Sequence, residues 1–334
     1  MLDLPRLNRI RLYRRPLTQR IVARVMLGPN YTALPGVRIE FENFDRVPPG
    51  PVIFAMNHTD RYNYFPFMYK VWRLQDRFMT VWVKGKYYEQ PAVGMFMELT
   101  NNLPTVSRGY IITKDFALTM GRRPNDQEYA ALRALVDAEA EPGGSGSSVD
   151  VSVVPRAIFD TPRNMLGIDF DPAARPYAAS VNEVFAAMMK RFVKLNEHSF
   201  ELGLDLLIFP QGTRSIRLPR GHIGLAEIAL RYGKTIVPVG CNGSDRVYPG
   251  SLPLGKKGRI VYRFGQPIPY EELAPFHIGE DFQPFSAEAE HAHRDKFQGA
   301  VDLVMDRINE LLDPEYRYSD DLGSEGVQGT SRFM

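Results

Sequence analysis

The chain has 334 residues, of which 44% are hydrophobic and 24% charged. These are the values of an ordinary globular protein, with room for one large domain or two small ones. A formal net charge of +2 gives no polyanion signal, so no nucleic-acid partner is expected. The single cysteine, Cys241, excludes an intrachain disulfide and a Cys-rich metal site, and neither a metal nor a resident cofactor is expected.

Residues 1–35 read as a basic, amphipathic helical segment. Arg6, Arg9, Arg11, Arg14, Arg15, Arg20 and Arg24 stand against one acid, Asp3. Leu7, Ile10, Leu17, Ile21 and Val25 form an apolar stripe over 5–28, which Pro16 should kink or split. Such a segment either packs on the core or lies in a lipid interface with its arginines toward anionic headgroups. No run of about 18 apolar residues occurs, so no transmembrane helix is expected. The N-terminus has no long apolar core after its arginines, which makes it a poor secretory signal.

From residue 36 to 315 the pattern is that of one α/β domain. Val37–Phe41 alternates as a strand should, and Pro48–Pro51 is a turn. Val52–Met56 is unbroken apolar, the mark of a strand buried on both faces. A helix is expected over 64–75, a strand over 78–83 and a helical pattern over 117–139. Pro142–Ser148 reads as a flexible linker, and 149–176 carries no clear pattern. Helices are expected at 177–201, 223–232 and 288–312, and strands at 204–209, 235–240 and 259–264. Residues 316–334 read as a polar, flexible tail.

Two stretches carry chemistry. His58, in Asn57-His58-Thr59-Asp60-Arg61-Tyr62-Asn63, ends an apolar strand, where an open α/β sheet presents functional groups. Phe209-Pro210-Gln211-Gly212-Thr213-Arg214-Ser215 follows a second apolar strand. There Gly212 allows close backbone approach, Arg214 can grip a phosphate through two parallel hydrogen bonds, and Thr213 and Ser215 add hydroxyls. A base beside an anion cradle suggests group transfer on a phosphorylated substrate.

Together with Val83-Lys84-Gly85-Lys86, Leu103–Gly109, Ile236–Gly240 and Phe264–Ile268, these stretches resemble the ordered motifs of the glycerolipid (lysophospholipid) acyltransferase family, of the 1-acylglycerol-3-phosphate acyltransferase type. The resemblance covers residues 36–110 and 204–270. It implies an α/β fold with a central, mostly parallel mixed sheet flanked by helices, and a long insertion at about 110–203. It implies that His58 is the base and the residue at 63 its partner. Arg108 and Arg214, with Lys84, would hold the acceptor phosphate beside Gln211, Gly212, Thr213 and Ser215. The family has Asp where this chain has Asn63 and Glu where it has Gln211.

The implied activity is acyl transfer from a thioester donor (acyl-CoA or acyl carrier protein, as co-substrate) to a hydroxyl of a lysolipid such as lysophosphatidate. The protein would then be cytoplasmic, peripheral on the inner face of a membrane and bound through residues 1–30. The two amides leave alternatives open: a relative that binds anionic lipids with little or no turnover, or an acyltransferase for a different acceptor. In serine proteases, Asn in place of the orienting Asp costs about 10⁴ in rate, much of it through the wrong His tautomer. An Asn whose carbonyl accepts the ring N–H still orients the base. Asn63→Asp with Gln211→Glu should therefore raise activity in a weakened site and lower it in one retuned for another acceptor.

Overall fold

The computed structural model describes residues 1–33, 36–141, 143–144 and 146–323. Among these, β1 (Val37–Glu42), β2 (Ile53–Met56), β3 (Met79–Lys84), β4 (Asn102–Thr105), β7 (Asp205–Ile208), β8 (Ile236–Asn242) and β9 (Gly258–Phe264) form one sheet in the order β1-β9-β8-β2-β7-β3-β4. A small antiparallel hairpin, β5 (Arg163–Met165) and β6 (Ile168–Phe170), lies apart from it. Every pairing in the large sheet is parallel except β8 with β9. The fold is thus α/β with a mixed, mostly parallel sheet, as the resemblance implies.

The unbroken apolar strands follow from burial on both faces. Along β2, Ile53 and Ala55 join one core while Phe54 and Met56 join the other, as the two-residue period requires. Helices α4 (Tyr64–Gln75), α6 (Arg108–Met120) and α9 (Tyr177–Glu201) supply the first layer, and α10 (Gly224–Tyr232) and α12 (Ala287–Glu310) the second. Shorter helices α3 (Gly28–Thr32), α8 (Ala157–Asp160) and α11 (Ser244–Val247) lie in the connections. Because β2, β3, β4, β7 and β8 run the same way, their carboxyl ends, and the loops that follow them, gather at one edge of the sheet.

Four expectations are completed or corrected by the structure. The helical pattern over 117–139 is two helices, α6 and α7 (Asp126–Ala140). Gly121 closes the first at φ +66°, and Asn125 opens the second in a capping box with Glu128. The 110–203 insertion is built into the main core, where Val181, Val184, Met188 and Phe192 of α9 lie. The N-terminal stripe does not stay on one face. Leu7 and Ile10 are buried beside α9, while Leu17, Ile21 and Val25 are 65, 50 and 72% exposed. Pro16 separates α1 (Leu4–Arg9) from α2 (Leu17–Ile21), which runs into a π-helical turn, Val22–Leu27.

The fourth correction concerns the tail from residue 316. Tyr316 is buried, and residues 316–319 pair with the loop at Leu218, whose N–H meets the Tyr316 and Arg317 carbonyls and whose C=O accepts from Ser319. Residues 324–334 of the expected tail lie outside the described residues, as do positions 142 and 145 of the expected linker.

Candidate functional site

His58 leaves the carboxyl end of the central strand β2, and two side-chain amides fix the loop that holds it. Asn57 faces β8: its Nδ2 donates to the Cys241 carbonyl (2.9 Å) and its Oδ1 accepts the Cys241 N–H (2.7 Å). Gln211 faces the other way. Its Oε1 accepts the His58 N–H (3.0 Å), while its Nε2 donates to the His58 carbonyl (3.1 Å) and the Thr213 carbonyl (2.9 Å). Each amide continues the pattern of a parallel ladder past the strand end, supplying donor and acceptor as a peptide group would.

Asn63, at the N-cap position of α4, makes no capping bond there. Its Nδ2 donates to the Asn57 carbonyl (2.8 Å), and its Oδ1 lies 3.0 Å from His58 Nδ1. The first contact fixes the orientation of the amide, so the oxygen must face the ring. Nδ1 therefore carries the proton, and Nε2 keeps its lone pair. The ring stacks on Phe209, centroids 4.1 Å apart and planes at 21°.

Burial pushes the His58 pKa down, the Asn63 hydrogen bond opposes this, and the charges of Arg214 and then Lys84 add to the lowering, leaving it at about 3. The imidazole is thus neutral at pH 7. Asp60 takes no part in orienting it. Its carboxylate accepts from the Tyr62 N–H (2.7 Å) and the Thr59 hydroxyl (3.1 Å), a local turn.

The turn after β7 wraps against this loop. The Ser215 N–H donates to the His58 carbonyl at 2.9 Å. Gly212 has φ +68°, and a Cβ there would come within 2.7 Å of the His222 ring, so conformation and space both call for glycine. Thr213 and Ser215 are buried and Arg214 is half-buried. Lys86 feels Arg214 and Arg61, and burial followed by Arg214 lowers its pKa. Arg214 and Lys84 thus act on the histidine directly, and Lys86 stands within reach of Arg214 and Arg61.

Beside this charged edge runs a cleft of ≈ 410 Å³. Lys84, Lys86, Ser107, Phe209 and Gly212 line its polar end. Trp82, Phe185, Met189, Phe192, Leu225 and Phe285 form an apolar wall, broken by Glu227, Glu290 and Arg294.

The structure therefore brings His58, Asn63, Lys84 and residues 211–215 together. Arg108 has different company. At the start of α6, its Nε donates to Asn182 (2.7 Å) and its guanidinium lies 4.4 Å from the Phe185 ring centroid. The charge that acts on it most is that of Glu290. It thus stands among groups of α9 and α12 instead of beside Arg214. Gln211 has both N–H groups and its oxygen engaged with backbone, so it braces the site.

Sequence reasoning passed over Phe209 as a ring support and Glu227 as a cleft residue. A lone acid within the apolar run Gly224-Leu225-Ala226-Glu227-Ile228-Ala229-Leu230 was the available signal for the latter.

The chain matches no family model and no curated protein. Among solved structures it is similar to the 1-acyl-sn-glycerophosphate (LPA) acyltransferase PlsC from Thermotoga maritima, at 12% identity over 80% of this chain and 72% of that chain, with a TM-score of 0.35. At that level of likeness the chemistry is carried by the site's own residues. Among the described residues no helix is long and apolar enough to cross a membrane.

Proposed function

We propose that the protein transfers an acyl group from a thioester, acyl-CoA or acyl-acyl carrier protein, to a hydroxyl of a lysophospholipid such as lysophosphatidate. The observation that carries this reading is the His58–Asn63 contact, held in one tautomer beside the cations Arg214 and Lys84. In the proposed step, His58 Nε2 takes the acceptor hydroxyl proton as its oxygen bonds to the thioester carbon. The C–S bond then breaks, and the thiolate recovers the proton from the imidazolium.

A base lowered to about 3 is weak. An anionic acceptor paired with Arg214 and Lys84 would neutralise two of the influences that lower it, so acceptor binding would strengthen the base. Gly212, Thr213 and Ser215 shape the acceptor pocket, with Gln211 bracing it. Arg108 stands apart from these residues, held by Asn182 and stacked over Phe185.

Membrane contact is assigned to the second part of the N-terminal segment. Leu17, Ile21 and Val25 stand exposed with Arg20 and Arg24 between them. Gln19 ties this part to the end of α5 (Pro91–Leu99) through the Thr100 carbonyl at 2.6 Å. Burying three such side chains favours an interface by about 1.5 kcal/mol or more each. Replacing all three with Ser should release the protein from anionic vesicles in a flotation assay, and retention at wild-type level would overturn this assignment.

The same low basicity favours a second reading, a protein that binds anionic lipids with little turnover. Radiolabelled acyl-CoA and acyl-acyl carrier protein, offered with a panel of lysolipids, decide between them. Labelled product that vanishes in His58→Ala supports transfer. Lysolipid binding with no product from either donor supports the second reading.

A further inference from the structure

Glu227 stands in the first turn of α10, buried and lining the cleft away from the cationic edge. Its Oε1 accepts the Phe285 N–H at 2.8 Å, while its Oε2 is buried with no hydrogen-bond partner. Around it is an aromatic wall: Trp82, Phe192 and Phe285 meet at centroid distances of 5.1, 5.6 and 6.0 Å. The helix start is pressed into that wall, since a Cβ on Gly224 would lie 3.0 Å from Phe285 and 3.5 Å from Trp82. Trp82 has its own partner, Asn196 at 2.8 Å, and offers the cleft no free donor.

A buried carboxyl with one unpartnered oxygen is costly unless something completes it. Burial, then the neighbouring Glu290 carboxylate, push the Glu227 pKa up to about 8, so it holds its proton at pH 7. Oε1 is occupied as an acceptor, so the proton belongs on Oε2. The group that completes this site must accept a hydrogen bond and be otherwise apolar. A phosphate headgroup would lose its solvation against three aromatic rings, and an ammonium group has no lone pair to accept from Oε2, whereas an alkyl chain carrying one oxygen meets both conditions.

Resting on the acyl-transfer reading, we propose that Glu227 is a specificity residue for the acyl chain, donating a hydrogen bond from Oε2 to a hydroxyl or keto oxygen on a chain laid against Trp82, Phe192 and Phe285. The preferred donor is then a hydroxy- or oxo-acyl thioester, and the position of the oxygen along the chain is set by where Glu227 stands in the cleft.

Calorimetric binding of tetradecanoate and of a series of monohydroxytetradecanoates, with the hydroxyl moved along the chain, tests this on the full-length protein. One positional isomer should bind about 3- to 10-fold tighter than tetradecanoate, the worth of a neutral hydrogen bond. Glu227→Gln still accepts from Phe285 and still offers an N–H, so it should keep the preference. Glu227→Met should bind tetradecanoate and all isomers alike. A flat series in the unaltered protein, or a preference that survives in Glu227→Met, overturns the assignment while leaving the chain in the cleft. Failure of any fatty acid to bind removes the chain from the cleft, and the assignment falls with it.

Discussion

The turn after β2 and the turn after β7 each carry a buried amide, Asn63 and Gln211, and the two amides have different work. Asn63 touches the histidine ring: its oxygen faces Nδ1 and its nitrogen faces a backbone carbonyl. Gln211 touches only backbone, giving two hydrogen bonds and taking one across the gap between His58 and Thr213. A carboxylate at 63 could still accept from the ring. A carboxylate at 211 could satisfy one of three contacts. A carboxylate at 63 would also give up the donor to the Asn57 carbonyl, so the same chemical replacement costs one donor in the first turn and two in the second.

The largest expected effect is in the second turn. Gln211→Glu takes one donor from each of the His58 and Thr213 carbonyls and buries a charge, and should cost about 2–5 kcal/mol. Denaturant unfolding would read this, and a midpoint equal to that of the unaltered chain would show that the brace is dispensable. An acid at 211 could then raise activity only against this loss of stability.

Next in size is Asn63→Ala. It frees the ring and lets the proton move between nitrogens, so kcat should fall about 100-fold or more with little change in KM. Equal losses of binding and rate would point to a collapsed pocket. Asn57→Asp removes one donor, the bond to the Cys241 carbonyl, and should cost about 1–3 kcal/mol. It should thus fall short of Gln211→Glu in the same unfolding assay.

The smallest and most informative change is Asn63→Asp. A carboxylate beside Nδ1 favours the imidazolium and raises the His58 pKa above its present value of about 3. Since the base must be neutral, the acid limb of kcat/KM should move up toward neutral pH. Stability carries the same sign. With the folded pKa below the usual 6.5 or so, the folded chain binds fewer protons than the unfolded one, and stability falls as pH drops from about 6.5 through the folded value. That loss should shrink in Asn63→Asp, and an unmoved limb would mean that residue 63 does not touch the base.

Strongly periodic segments declare themselves in the sequence. The helices at 64–75 and 177–201 and the apolar strands at β2, β7, β8 and β9 stand where pattern alone places them. β4 was hidden because Asn102-Leu103-Pro104-Thr105 is short and contains proline; it forms as an edge strand beside β3. The break between α6 and α7 rests on Gly121 and on the Asn125 cap, both of which interrupt an otherwise continuous pattern. In the site, the contact between His58 and Asn63 spans five positions of one turn and is legible. The role of Gln211 is not, because it depends on parallel register setting residues 153 positions apart side by side. Glu227 is hidden for the same reason, with its one partner 58 positions away.

The strap of residues 316–319 across Leu218 bears on the order in which the molecule is assembled. The segment following Arg214 closes on chain that comes about a hundred positions later, through Arg217 and Leu218 to Tyr318. Ordering that joint requires a long loop to close first, an event that slows with sequence separation. Loop closure alone does not place the joint last, since Val37 pairs with Gly258 across a wider separation; chain order does, because residues 316–319 are made after β9 ends at Phe264, so during synthesis the sheet can form before the anion cradle is fully fastened. A chain cut at Leu312 should keep its β-structure in circular dichroism while losing protection of the Leu218 amide from hydrogen exchange, so maturation of the cradle becomes a late, separable event in the life of the polypeptide.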